Sequence, residues 1–176
     1  MKKEHKKLLK FLSIALLIYL LWTVVEVLFL ADGNVIEKFL THTEAFLVAN
    51  FFSLLGYTQM SYHYLPPDAS IVMMDAKKIV GISDSCNGLV LFVTFIGFII
   101  AFPASVRSKL RYIPIGILLI YIANVIRIFF LAMIYIYYPH YLNFNHHYTF
   151  TLWVYFDIFM LWMYFVKKYG RLQNAD

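Results

Sequence analysis

The sequence predicts an all-α membrane protein of about four transmembrane helices, with one short interfacial or re-entrant helix and a small external β-hairpin. Three observations carry that prediction. Of 176 residues, 62% are hydrophobic and 14% charged, against roughly 45–50% apolar content in a soluble domain; mean hydropathy is +0.71. Four apolar stretches approach the about 20 residues needed to cross a bilayer core. Lysine and arginine gather at the ends of those stretches instead of spreading along them. Length and composition fit a single integral membrane domain, 1–176.

The first stretch, Leu8–Leu30, follows the basic Met1–Lys10. Its apolar run exceeds the about 7–15 residues of a secretory signal and no small-residue cleavage site follows, so a retained anchor over 8–30 is expected. An external segment, 31–85, comes next. Within it Ala45–Tyr57 is apolar but too short to cross, which suits an interfacial or re-entrant helix. Pro66-Pro67-Asp68 signals a turn. Ser70–Met74 and Ile79–Ile82 then flank Asp75-Ala76-Lys77-Lys78 and read as a hairpin. The other spans are Gly88–Pro103, which is short and starts in the interface near Cys86, then Tyr112–Tyr135 and Tyr148–Val166.

Charge sets the orientation. Lys2, Lys3, Lys6, Lys7, Lys10, Arg107, Lys109, Arg111, Lys167, Lys168 and Arg171 fall on one side of these spans, and only Lys38, Lys77 and Lys78 on the other. The positive-inside rule puts both termini in the cytoplasm and the acidic external segment outside. The net charge of +5 therefore belongs to the membrane surface, and nucleic acid is not an expected partner.

That topology brings three reactive side chains to one face. Cys86, the sole cysteine, sits in Asp84-Ser85-Cys86-Asn87-Gly88-Leu89 at the mouth of the second span. Its neighbours are polar, and Ser83 or Ser85 as a helix N-cap would leave the thiol at the positive end of a helix dipole, where thiolate is favoured. The bland reading is a buried cysteine acting as a small hydrophobe. Arg127 lies 15 residues into the third span, about 22 Å along it, hence in its outer third. Such a charge costs about 2.5–3.5 kcal/mol to insert and faces a bundle interior or cavity. Asn124, one turn earlier, shares its face. The bland alternative is an ion pair with Glu26 on the first span.

His146 and His147 precede the fourth span, and either could be an ordinary interfacial residue. Thr151, four residues after His147, marks the His147 face as the one with room for a substrate, leaving His146 as the alternative. His63, His140, His146 and His147 match no ligand spacing, so neither metal nor cofactor is expected. Glu26 and Asp157 read as helix–helix partners, and the many tyrosines as an interfacial belt. Thiol, guanidinium and imidazole together are the parts of cysteine acyl transfer.

These residues resemble the exosortases and archaeosortases, membrane-embedded cysteine transpeptidases. The resemblance rests on Cys86-Asn87-Gly88-Leu89, on Asn124-Val125-Ile126-Arg127, and on a histidine opening the last span, in that order and topology. It covers about 70–166, and a hairpin before the cysteine belongs to it. The family's histidine usually has glycine four residues on; Thr151 stands there after His147. The resemblance implies a nucleophile at Cys86, an oxyanion or thiolate stabiliser at Arg127 and a general acid/base at His147, with Asn87, Gly88 and Asn124 in support. It implies cleavage of C-terminal sorting signals of secreted proteins at the outer face of a bacterial cytoplasmic membrane, with transfer to a surface acceptor. Two other readings share the residues: an intramembrane cysteine protease that releases its product to water, and a non-catalytic membrane subunit or transporter component with an internal arginine–carboxylate network.

Overall fold

A computed structural model of the chain describes residues 3–29, 35–65, 69–83 and 86–170, with backbone alone for 3–4, 6–8 and 26–29. The protein is mostly helical. The helices among the described residues are α1 (Lys3–Phe29), α2 (Val35–Leu54), α3 (Leu89–Ala101), α4 (Val106–Tyr137) and α5 (Phe150–Gly170). Three strands, β1 (Met60–Leu65), β2 (Ala69–Met74) and β3 (Lys77–Ser83), form an antiparallel sheet in the order β1-β2-β3. A 3-10 turn at Pro139–Tyr141, a helical turn at Leu142–Phe144 and a π turn at Asn145–Thr149 lead from α4 into α5.

Each expected span coincides with a helix. Among the described residues, Val106–Tyr137 and the continuous helical path Pro139–Gly170 are long and apolar enough to cross a membrane, while Leu9–Val25 and Leu89–Ala101 are shorter. Large apolar side chains stay outward along α5, where Leu152 is 72% and Phe156 60% exposed. Such a surface suits lipid and would be an aggregation liability in water.

Two elements differ from expectation. The apolar run at Ala45 belongs to a 20-residue helix that begins ten residues earlier, at Val35. Its first half was obscured because Thr41 and Glu44 look like surface residues, yet both are buried. The hairpin gains a third strand: β1, Met-Ser-Tyr-His-Tyr-Leu, lacks apolar alternation and is held by pairing Met60–Leu65 with Met74–Ala69 and by Tyr62 packing edge-on to His42 and Phe46. The hairpin turn itself is shorter than expected. Asp75 and Ala76 both have positive φ, 50° and 61°, the two-residue geometry that matches strand twist. Lys77 and Lys78 therefore already belong to β3. The turn signal at residues 66–68 lies outside the described residues.

Contacts divide the chain into two compact units. Within Met1–Ala31, Val90–Ile120 and Phe156–Asp176, aromatic packing dominates: Phe11 stacks on Phe98 and Trp162, each with centroids 6.3 Å apart, and Phe98 and Trp162 meet at a tilt, 5.7 Å apart. The Tyr112 hydroxyl donates to the Leu161 carbonyl at 2.7 Å. The Phe95 ring occupies the space that a side chain on Gly116 would need. Within Asp32–Leu89 and Tyr121–Tyr155, the sheet and α2 share a core that includes Val48, Phe52, Val72, Ile82, Phe129 and Ala132. Against water each such large side chain is worth about 1.5–3 kcal/mol; against lipid, close packing and polar pairs decide. Two such pairs pin α2: Ser70 to Thr41 at 3.3 Å and Tyr121 to Thr43 at 2.9 Å.

Candidate active site

Every residue that the sequence singled out for chemistry falls in the second unit, apart from Glu26 and Asp157. Asp157 belongs to the first unit, and the Glu26 side chain lies outside the described residues.

The cysteine loop is shaped by its own motif. Gly88 has φ +78°, a left-handed conformation that glycine adopts without the penalty a side chain brings. It turns the chain from Cys86 into α3. Asn87, 1% exposed, accepts the Leu89 N–H on Oδ1 at 3.0 Å. This satisfies a donor at the helix start, the job expected of Ser83 or Ser85. Ser83 instead ends β3, and Ser85 lies outside the described residues.

Asn124 fixes that loop to α4. Its Nδ2 donates both hydrogens, to the Cys86 carbonyl oxygen at 2.9 Å and to Glu44 Oε1 at 2.8 Å. Its Oδ1 faces Arg127 Nη1 at 3.4 Å, a long contact. Arg127 Nε, though buried, has no hydrogen-bond partner among the described residues.

Glu44 is the residue that sequence reasoning missed. It is fully buried on α2, outside the helices long enough to span, and its Oε2 has no hydrogen-bond partner among the described residues. Burial pushes its carboxyl up to about 8, against the lowering effects of the Asn124 hydrogen bond and the Arg127 charge. Burial thus favours the neutral carboxylic acid at Glu44. The available signal was Thr41, Glu44 and Val48 recurring at helical spacing.

Histidine completes the site. His146 Nε2 stands 3.9 Å from Cys86 Sγ, a distance that needs to tighten for proton transfer, as apo sites commonly do. His147 is exposed and its Nδ1–H donates to the Asn143 carbonyl at 3.0 Å. The structure therefore turns His146, the alternative, toward the thiol and His147 away. The π turn explains the shift. Spacing of five replaces spacing of four, and the Thr151 hydroxyl donates to the His146 carbonyl at 3.3 Å.

Cys86, Arg127 and His146 line one cavity of about 530 Å³, within the usual range for a ligand pocket. Its walls are β3, the second half of α4 and the turns after Pro139.

A thiol, an imidazole and a guanidinium on one cavity of an apolar helical protein define a membrane protein equipped for cysteine chemistry. A family model described as transmembrane exosortase (Exosortase_EpsH) matches residues 5–165, and the chain belongs to the transmembrane exosortase family. Its members are membrane cysteine transpeptidases, and membership implies processing of sorting signals. No curated protein and no solved structure matched the chain.

Proposed function

We propose that this protein cleaves C-terminal sorting signals of secreted proteins at the outer face of the cytoplasmic membrane and transfers the acyl group to a surface acceptor. The observation that carries the reading is the 3.9 Å approach of His146 Nε2 to Cys86 Sγ on a cavity that Arg127 also lines. Four spans with cytoplasmic termini follow from the lysine and arginine distribution and put Cys86 outside. A substrate held by its own apolar helix is confined to the membrane plane, which raises its effective concentration at the cavity.

His146 Nε2 takes the thiol proton, and Sγ attacks the scissile carbonyl carbon. The carbonyl electron pair moves onto oxygen, where Arg127 offers a fixed cationic donor. Collapse restores the carbonyl and breaks the C–N bond as His146 returns its proton to the leaving amine. A thioester remains on Cys86. An acceptor amine or hydroxyl then attacks it, giving its proton to His146, and Sγ leaves. Water in place of the acceptor yields hydrolysis.

The test is accumulation of precursor. Surface proteins that end in a short motif, an apolar helix and a basic tail are followed by mass in cells carrying wild type or Cys86→Ala. The variant should leave them unprocessed at normal enzyme abundance. Normal processing would remove the cysteine mechanism and favour a non-catalytic subunit.

A further inference from the structure

β3 is an edge strand: the sheet order is β1-β2-β3, and among the described residues β3 pairs with β2 alone. It is also the wall of the cavity that holds Cys86. The residues it contributes are consecutive: Lys78, Ile79, Val80, Gly81 and Ile82. Side chains of a strand alternate between faces, here with an irregularity at Ile79, the extra residue opposite Val72 and Met73, so a face-on wall would not draw on five residues in a row. A wall of five consecutive residues is met edge-on, where main-chain N–H and C=O groups lie.

Two details keep that edge open. Ile79 and Ile82 are buried in the core, so their side chains turn away from it. Gly81 is exposed, and the nearest atoms a Cβ there would meet are the flexible end of Lys78, at 2.9–3.0 Å, and Ile71 at 4.0 Å. Arg127 and Leu131 of α4, with Leu142 and His146 beyond it in the chain, line the same cavity. The cavity is therefore bordered by a sheet edge and by the reactive side chains of Cys86, Arg127 and His146.

We propose that β3 is the docking strand for the substrate. Resting on the transpeptidase reading above, an extended segment on the acyl side of the scissile bond adds to Lys78–Ile82 as a fourth strand. An unpaired edge is a ready template for such addition, in which main-chain bonds give affinity and alternate side chains give selectivity. Direction follows from chemistry. β3 runs toward Cys86, and the carbonyl to be attacked ends the docked segment, so that segment must run parallel to β3. Its residues alternate between bonding β3 and facing away.

The test needs no natural substrate, because Cys86 is the only thiol in the chain. Full-length protein in detergent micelles is treated with the chloromethyl ketones of acetyl-alanine and of acetyl-tetraalanine, and with tetrapeptide versions carrying one N-methyl group at each position in turn. Thiolate displaces chloride, and the thioether is read by intact mass. Two main-chain bonds in the lower half of the ordinary range of strengths correspond to about tenfold. The tetrapeptide should modify Cys86 about tenfold faster than the single residue. N-methylation should abolish the gain at alternate positions and spare it at those between. No gain with length, or a gain indifferent to N-methylation at every position, overturns strand addition, the second result favouring an apolar groove. Iodoacetamide, which has no peptide chain, separates the two readings. If it alkylates Cys86 in a His146-dependent way while the peptides gain nothing, only the docking strand fails. An inert Cys86 counts against both.

Discussion

Asn124 holds Cys86 by its main chain: the amide that donates to the Cys86 carbonyl oxygen at 2.9 Å also donates to Glu44 Oε1 at 2.8 Å. Asn124→Ala strips both acceptors, and a buried acceptor left unpaired costs about 1–3 kcal/mol. The variant should melt at lower temperature and process substrate at least about tenfold more slowly. An unchanged melting point and unchanged processing would show that the bridge is incidental.

Glu44 makes stability depend on pH. An ordinary glutamate loses its proton near 4.3, whereas Glu44 holds it to about 8. The unfolded chain therefore releases the proton first. Stability from this group is fully present below about 4.3, declines as pH rises and is lost above about 8. Thermal melts in detergent from pH 5 to 8 should fall more steeply for wild type than for Glu44→Gln, which cannot titrate. A wild-type melt that rises with pH relative to Glu44→Gln would mean the carboxyl is ionised when folded.

Arg127 should act through its fork of donors as well as its charge, because a guanidinium presents a planar fork that an ammonium cannot reproduce. Arg127→Lys is expected to lose most activity, about tenfold to a hundredfold, at normal abundance. Retained turnover, measured as precursor conversion, would reduce the residue to a point charge.

Topology is open to direct measurement. Reporter fusions at Pro67 and Tyr141 should signal outside, and fusions at Ser108 and Ala175 inside. An inside signal at Pro67 would put Cys86 on the wrong face of the membrane for a secreted substrate.

Much of this was legible in the chain. Long apolar runs bounded by lysine and arginine located α1, α3, α4 and α5. Cys86-Asn87-Gly88 and Asn124-x-x-Arg127 announced a loop and a helix face that do meet, through the Asn124 amide. What stayed hidden follows one physical pattern. Thr41 and Glu44 point inward, reversing the usual polar-out rule, because their partners Ser70 and Asn124 are buried as well. β1 is strand by pairing and aromatic packing, which leave no alternation in Tyr62, His63 and Tyr64. The histidine choice turned on the π turn at Asn145–Thr149. Counting residues at α-helical spacing cannot register such a turn.

The pairing of Cys86 with His146 is the central claim, and the single thiol makes it measurable. Alkylation by iodoacetamide at neutral pH, followed by intact mass in detergent, reports Cys86 alone. If His146 draws the thiol proton, His146→Ala should slow alkylation by about a hundredfold or more, the usual range for a general base, while His147→Ala should label like wild type. Equal rates for wild type and His146→Ala, or a loss confined to His147→Ala, would contradict it.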